Sequence, residues 1–347
     1  MAAGFAAYAG SYTRGGGGGI YVLDVDPAEA SYRLRSVYPI ENPIFLAPSA
    51  DGRFLYSTCD EGTAAFSIAE DGALTLLNKA GVNGLRPSYL SVTRKNKFLV
   101  SGGYHDGKLT VQRLNKDGSI GSICDEIFHE GLGNVVSKHY NSHISCAVLT
   151  PDERYVLAVD VGVDQVRIYH FDHRNGKLEL SDILRCPLES GPRDLAFSPD
   201  GRTAYITFES LSQIAVYRFD PESAAFTELG RVSTLTGKQN LSNISYAVRV
   251  SEDGKHVLVT NSGENSVAVY NVAEDGKLDT KCVLPVSGEF PIDLLLMPGG
   301  KMFSTVNQEG DTVTSFNVNY DKGYFLMKRK PLKLKDPTCI RLVRLPE

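Results

Sequence analysis

The chain has 347 residues, 42% of them hydrophobic, and a formal net charge of −5 with acidic and basic residues interspersed. This length and composition allow a large buried core, and the mixed charge excludes a dedicated nucleic-acid or membrane face. The N-terminal residues lack a charged region, and no run approaches the roughly 18 apolar residues of a membrane span, so we expect a cytoplasmic protein without a signal peptide. Six cysteines without a CxxC pair predict neither a zinc site nor a disulfide framework.

The first predicted elements are two strands near the N-terminus, at residues 8–13 and 19–24. A run of glycines, residues 15–19, separates them. Glycine loops that bind phosphate lead into a helix, and no helical pattern follows here. We therefore interpret the glycine run as a flexible turn.

Further along the chain, one short phrase returns six times: a small residue, one variable residue, Asp-Gly-Arg or a variant of it, and then an apolar run. The third residues of the copies are 51, 95, 152, 200, 253 and 299, so that successive copies lie 44, 57, 48, 53 and 46 residues apart. A period of roughly 40 to 50 residues built from short strands is typical of a β-propeller blade and not of a helical solenoid.

The copy at residues 198–202 shows the strands of one repeat. Apolar and alternating runs at 192–198, 203–207 and 212–219 predict three strands, and a turn then leads to a short outer strand near 227–229. Helical spacing of apolar residues is not sustained over about twelve positions anywhere. The repeats therefore predict four-stranded antiparallel blades in an all-β protein.

The two ends of the chain complete the ring. Residues 338–343 match the first strand of a blade, and the two N-terminal strands match the second and third. A propeller has to close its ring or leave two bare strand edges exposed. We therefore predict a seven-bladed β-propeller that fills residues 1–347 as a single domain, with one blade shared between the termini.

Propellers bind ligands at the mouth of the central channel, where the first strand of each blade begins. Blade by blade, the side chains expected there include Arg193 and Asp194, with Glu209 at the end of the next strand. Arginine can hold an anion or a developing oxyanion, and a partly buried glutamate can act as general base or acid. The alternative is an ion pair that only lines a wet channel.

The neighbouring blade offers a second candidate, His143, which could move a proton to or from a ligand held by Arg193. His139 lies four residues earlier, but that spacing faces one side only on a helix, so no metal site is predicted. Equivalent positions in the other blades make up the predicted substrate-binding set: Asp194, Ser145, Tyr89, Tyr104, Tyr246, Asp60 and Asp293. The tyrosines suit stacking against a sugar ring or a flat acid.

The stretches YAGSYT, GIYVLDVD, NPIFLAPSADGRFLY, HISCAVLTPDERYVLAVDVGVDQVRIY and GPRDLAFSPDGRTAYITFES follow one another along the chain. Together they resemble the lactonase family of seven-bladed propellers, which includes a bacterial type of 6-phosphogluconolactonase and the fungal 3-carboxy-cis,cis-muconate lactonizing enzyme. The resemblance covers nearly the whole chain. It implies opening or closing of a small lactone that bears an anionic group, without a cofactor, at the channel mouth.

The family pattern is kept at some site positions and changed at others. His143, Arg193 and Glu209 match it. The positions that differ are Ser145 and Asp194, where the family has histidine, Tyr89, also in place of histidine, and Ile292, in place of arginine. The loss of a second arginine weakens the expectation of a phosphorylated or tricarboxylic ligand.

The leading hypothesis is a lactonase in which Arg193 polarises the carbonyl, Glu209 activates water and His143 assists proton transfer. Its expected ligand is a small lactone or hydroxy acid, with no cofactor, no metal, no nucleic acid and no membrane, and no oligomeric state is predicted. Two alternatives stay open: a lactonizing cycloisomerase that uses the same groups without water, and a non-catalytic propeller that serves as a binding or scaffold module with a degenerate site.

Overall fold

The computed structural model describes residues 4–26, 28–29, 31–131, 133, 141–237, 242–327 and 330–345. Within these ranges the chain forms 29 β-strands, arranged as seven sheets, and no helix. The all-β prediction is therefore confirmed. No segment of the described ranges is a helix long and apolar enough to cross a membrane.

The strands follow one another around the ring, blade by blade. Blade 1 takes three strands from the N-terminus: β1 (Phe5–Ser11), β2 (Ile20–Asp26) and β3 (Ser31–Tyr38). Blade 2 contains β4 (Leu46–Pro48), β5 (Phe54–Cys59), β6 (Gly62–Ile68) and β7 (Leu74–Ala80), and blade 3 contains β8 (Tyr89–Val92), β9 (Phe98–Gly102), β10 (Lys108–Leu114) and β11 (Ile120–Phe128). Blade 4 contains β12 (Ile144–Leu149), β13 (Tyr155–Asp160), β14 (Gln165–Asp172) and β15 (Lys177–Arg185).

Blade 5 contains β16 (Pro192–Phe197), β17 (Thr203–Phe208), β18 (Gln213–Asp220) and β19 (Ala225–Ser233). Blade 6 contains β20 (Ser245–Val250), β21 (His256–Asn261), β22 (Ser266–Val272) and β23 (Leu278–Pro285). Blade 7 contains β24 (Pro291–Leu296), β25 (Met302–Asn307), β26 (Thr312–Asn319), β27 (Tyr324–Met327) and β28 (Leu332–Lys333), of which the last pairs with β26 beside β27. The final strand is β29 (Pro337–Arg344).

The ring closes as predicted, because β29 pairs antiparallel with β1 and becomes the innermost strand of blade 1. Each innermost strand contacts the innermost strand of the next blade, from β4 around to β29 and back to β4. The predicted outer strand of blade 5 is longer than expected, since β19 pairs with β18 along its whole length. The shared blade joins the two ends of the chain, so that neither end leaves an open sheet edge.

The repeated Asp-Gly phrase forms the turn between the first and second strands of a blade. In blade 5, Ser198 donates a hydrogen bond to the carboxylate of Asp200, which also accepts the backbone amide of Arg202 at 3.0 Å. Gly201 follows with φ +72°, the left-handed conformation that glycine adopts without strain. The same hydroxyl–carboxylate bond recurs in three other blades, as Ser49–Asp51, Thr150–Asp152 and Ser251–Asp253. A local turn motif therefore sets the register of the inner hairpin in these four blades.

The core lies between neighbouring blades. Second strands such as β5 and β13 are buried at every position, whereas outer strands such as β3 and β15 are mostly exposed. Tyr8 of blade 1 packs in one apolar cluster with Phe66 of blade 2, and its hydroxyl donates to the carbonyl of Gly72 at 2.8 Å. Burial of apolar side chains between sheets drives this packing, and it holds the innermost strands in a ring around the channel.

Candidate active site

The mouth of the channel holds a pocket with about 970 Å³ of open volume, part of it continuous with solvent. Two aligned positions at the mouth end of each inner strand, one and two residues past the usual proline of the repeat, form much of its wall, as the sequence predicts. The first position contributes Ile44, Ser88, Ser145, Arg193, Tyr246, Ile292 and Thr338, and the second contributes Phe45, Tyr89, Asp194, Ala247, Asp293 and Cys339. Cys146, the second-position residue of blade 4, is buried and does not line the pocket.

Arg193 and Glu209 form an ion pair in blade 5. Antiparallel pairing of β16 with β17 brings them together, and the amide of Glu209 donates to the carbonyl of Gly191 at 2.9 Å. The side chains are 15% and 9% exposed, so the pair is shielded from most of the solvent. The guanidinium carbon of Arg193 lies 3.6 Å from the ring centroid of Tyr246, within cation–π distance. Burial disfavours the charge on Arg193, yet Tyr246 and Glu209 hold its pKa above the ordinary value.

His143 reaches this pair through Tyr104. The two rings are stacked, with centroids 4.7 Å apart, and Nδ1 of His143 is hydrogen-bonded to the backbone carbonyl of Tyr104. The Tyr104 side chain is in turn hydrogen-bonded to Arg193. A carbonyl can only accept, so Nδ1 carries the proton and the neutral ring places its basic lone pair on Nε2. Tyr104 therefore links the imidazole to the guanidinium and sets the tautomer of His143.

A buried network of hydrogen bonds holds the backbone of His143 in place. Asp160, at the end of β13, accepts the backbone amide of His143 at 2.8 Å, together with bonds from Ser142 and from Nδ1 of His129. Nε2 of His129 meets the hydroxyl of Tyr169 at 2.9 Å. Burial raises the pKa of Asp160, but the bonds from His129 and Ser142 outweigh it, and the net pKa is below the ordinary value. The sequence analysis missed this network; an aspartate ending a fully buried strand was the available signal.

Three charged side chains, Asp194, Arg249 and Asp293, line the floor of the pocket, and Arg341 pairs with Asp293 beneath them. Asp194 accepts hydrogen bonds from Arg249 at 2.8 Å and from the amide of Val248 at 3.0 Å. Asp293 lies between Arg249 and Arg341, and it also accepts the amide of Ile340 at 3.1 Å. The expectation that Asp194 joins Arg193 and Glu209 in one cluster is therefore corrected: Asp194 pairs with blade 6. Burial raises the pKa of Asp293, but Arg341 and Arg249 bring it below the ordinary value.

Aromatic residues complete the floor beside these ion pairs. The rings of Phe45 and Tyr89 lie 4.2 Å apart at their centroids, and the guanidinium of Arg341 lies 4.6 Å from the Phe45 ring. Burial raises the pKa of Tyr89 well above its ordinary value, so this phenol stays neutral. Below this level the channel is lined largely by apolar residues of the inner strands. The polar chemistry is thus concentrated on the mouth side.

The remaining predicted residues hold other parts of the wall. The hydroxyl of Ser145 lines the pocket and donates to the carbonyl of Arg193 at 2.6 Å, which ties blade 4 to blade 5. Asp60 lies at the rim, where it accepts bonds from Asn42 at 2.9 Å, Arg86 at 2.8 Å and Arg14 at 3.2 Å. Asp60 therefore positions arginines at the rim.

The lining residues Tyr12, Arg86, His105 and Arg249 were not predicted from the sequence. The first three lie in segments before or after strands, and Arg249 lies within β20 beyond the aligned positions. His139 falls outside the described residues. Within the described part of the chain, no three His, Cys, Asp or Glu side chains are grouped so that they could share a metal ion.

The ring of seven blades and the charged, aromatic pocket at its mouth define a β-propeller with a polar pocket at the end of its channel. The comparisons identify the family: residues 6–342 match the family described as lactonase, 7-bladed beta-propeller, and the chain belongs to it. This confirms the resemblance inferred from the sequence.

Individual relatives cover almost the whole chain. The 6-phosphogluconolactonase of Bacillus subtilis (strain 168) is 29% identical over 343 residues, which span 97% of each chain. A solved structure of a protein from Lactobacillus plantarum is 31% identical and has a TM-score of 0.92 over 98% of this chain and 99% of that one. The periplasmic gluconolactonase of Pseudomonas aeruginosa shares the fold, with 24% identity, a TM-score of 0.92 and 99% coverage of both chains.

Proposed function

We propose that the protein is a cofactor-independent hydrolase that opens a sugar lactone at the mouth of the propeller channel. The observation that carries the proposal is Arg193, which lines the pocket and packs on Tyr246 in a member of the lactonase family. Arg193 forms a buried ion pair with Glu209 and is linked through Tyr104 to His143, and these two partners lie outside the pocket lining. The name of the Bacillus subtilis relative makes 6-phosphogluconolactone the first substrate to test. The cytoplasm remains the predicted location.

The proposed reaction uses the polar groups of blades 4 and 5. Arg193 donates hydrogen bonds to the lactone carbonyl and stabilises the oxyanion that forms when water attacks the carbonyl carbon. Glu209 accepts the proton of that water. His143, which Tyr104 and Asp160 hold in place, first takes up a proton from solvent at Nε2 and then delivers it to the ring oxygen as the carbon–oxygen bond breaks. The product is the open hydroxy acid, and proton exchange with solvent restores both groups.

The test measures acid release from glucono-δ-lactone and its 6-phosphate in a pH-stat, with the spontaneous hydrolysis subtracted. We expect R193Q and E209Q each to lower kcat by about 10²- to 10³-fold, the size seen when an oxyanion donor or a general base is removed. R154Q is the matched control, because Arg154 also pairs with carboxylates but lies in the turn between β12 and β13, at the end of blade 4 away from the mouth. Full activity of R193Q would refute the proposal.

Assays on the same purified protein distinguish this hydrolase from the two alternatives, a lactonizing enzyme and a non-catalytic propeller. A lactonizing enzyme would consume 3-carboxy-cis,cis-muconate, seen as a loss of ultraviolet absorbance, and leave both sugar lactones at the background rate. A non-catalytic propeller would leave all three compounds at the background rate.

A further inference from the structure

The charges around the pocket are balanced in its deeper part. Arg193 pairs with Glu209 in the wall. In the floor, two arginines and two aspartates alternate as Asp194, Arg249, Asp293 and Arg341. Each of these guanidinium groups has a carboxylate partner, so the wall and the floor of the pocket offer little net attraction to an anionic group.

The rim differs, because two arginines share one carboxylate. Arg86 bonds Oδ1 of Asp60 at 2.8 Å, and Arg14 bonds Oδ2 of the same residue at 3.2 Å. Arg86 lines the pocket and is 16% exposed, whereas Arg14 is 79% exposed. Of these three side chains, Arg86 lines the pocket and is the rim cation that a ligand there would meet.

His105 adds a hydrogen-bonding group beside Arg86. It also lines the pocket, and burial, Arg86 and His143 lower its pKa, so its ring is neutral at physiological pH. The adjacent Asp106 does not line the pocket; its carboxylate accepts the backbone amide of Leu85 at 3.0 Å. The imidazole can therefore donate a hydrogen bond to a ligand oxygen without adding charge.

Tyr12 connects the rim to the proposed catalytic wall. Its ring lies 5.6 Å from the guanidinium carbon of Arg86. Burial raises the pKa of Tyr12, while the positive charges of Arg86 and Arg193 both lower it. Arg86, Tyr12 and Arg193 thus line the same pocket. A ligand held at both arginines has one polar group at each end and a middle that packs on aromatic residues.

We infer that Arg86, assisted by Arg14 and His105, forms a subsite for the phosphate of a sugar lactone whose carbonyl lies beside Arg193 and Glu209. A guanidinium presents paired donors that match two phosphate oxygens. The carbonyl end of this arrangement rests on the proposed function, whereas the phosphate end is carried by the rim geometry alone. Arg86 would therefore determine the preference for a phosphorylated substrate. The phosphate would take no part in the bonds that form and break at the carbonyl.

The test uses binding of the reaction products, so that it does not depend on turnover. Calorimetry compares 6-phosphogluconate with gluconate on the wild type, R86Q, R86K and D60N. We expect the phosphorylated acid to bind wild type about 10-fold more tightly, the size of one or two charge-assisted hydrogen bonds. R86Q should remove most of this preference, and R86K should restore part of it. D60N should widen the preference, because it removes the carboxylate that competes for both arginines.

The outcomes separate this inference from the proposed function. Equal affinity of wild type for the two acids, no binding of either, or an equal loss of both in R86Q would overturn the phosphate subsite. Hydrolysis of both lactones at equal efficiency, with R86Q unchanged, would overturn it while leaving the lactonase proposal intact. An Arg86-dependent preference in a protein that hydrolyses neither lactone would support the subsite and refute only the catalytic proposal.

Discussion

Asp293 offers the sharpest stability test of the channel floor. Its side chain is 4% exposed and bridges two arginines that are themselves 26% and 17% exposed. D293N keeps the shape but removes the charge, which leaves Arg249 paired with Asp194 and removes the carboxylate partner of Arg341. Loss of one partner from a buried ion pair costs about 3 to 5 kcal/mol. Because both arginines keep some contact with water, we expect a loss of about 3 kcal/mol, at the lower end of that range.

The assay is urea unfolding followed by far-ultraviolet circular dichroism, since the chain has no tryptophan for fluorescence. E61Q is the control, because Glu61 and Lys79 form an ion pair that is 61% and 33% exposed, and such pairs contribute at most about 1 kcal/mol. A D293N loss no larger than the E61Q loss would show that the floor network does not stabilise the ring.

The pH dependence of the same variant gives an independent check. The pKa of Asp293 is lowered in the folded protein, so its contribution is complete above the unfolded value of about 3.9 and fades as the pH falls through the folded value. The stability difference between wild type and D293N should therefore stay constant from neutral pH down to about pH 5 and shrink only in stronger acid. A difference that shrinks between pH 7 and 5 would contradict this assignment.

Three further predictions follow from single contacts. G19A should destabilise by about 2 kcal/mol or more, because Gly19 has φ +119° and an added Cβ would lie 2.2 Å from a backbone carbonyl oxygen; G237A, which meets nothing within 4 Å, is the control in thermal melts. Y246L should lower kcat/KM for the lactone about 10-fold by removing the ring under Arg193, while Y246F should stay near wild type. D160N should lower kcat more than it raises KM, because it loosens the segment that carries the imidazole; an effect on KM alone would argue against a positioning role.

The blades and the ring closure were predictable from the sequence because their causes are local. A hydroxyl, a carboxylate and a left-handed glycine within five consecutive residues form the inner turn, as in Ser198, Asp200 and Gly201. Strand alternation on both sides then repeats at a fixed spacing. The same alignment also predicted which positions face the mouth, and those residues of the inner strands do line one pocket.

The partners of the charged residues were not predictable in the same way. Arg193 and Asp194 are neighbours in the sequence, but successive side chains of a strand point in opposite directions. Arg193 therefore meets Glu209 of its own blade, and Asp194 meets Arg249 of the next one. Arg249 could nonetheless have been identified as a candidate pocket residue, because it is the charged residue of an otherwise uncharged inner strand.

The grouping of charged residues at the rim could not be predicted from the sequence. Arg14, Asp60 and Arg86 come from three different blades and from segments outside the repeated phrase. No spacing along the chain relates them, because the closure of the ring sets the distance between blades. The sequence by itself determined the number of blades and the positions around the mouth. Only the tertiary structure decided which charges pair with one another and that Arg86 lines the pocket, since ion pairing depends on distances between blades that the chain order does not specify.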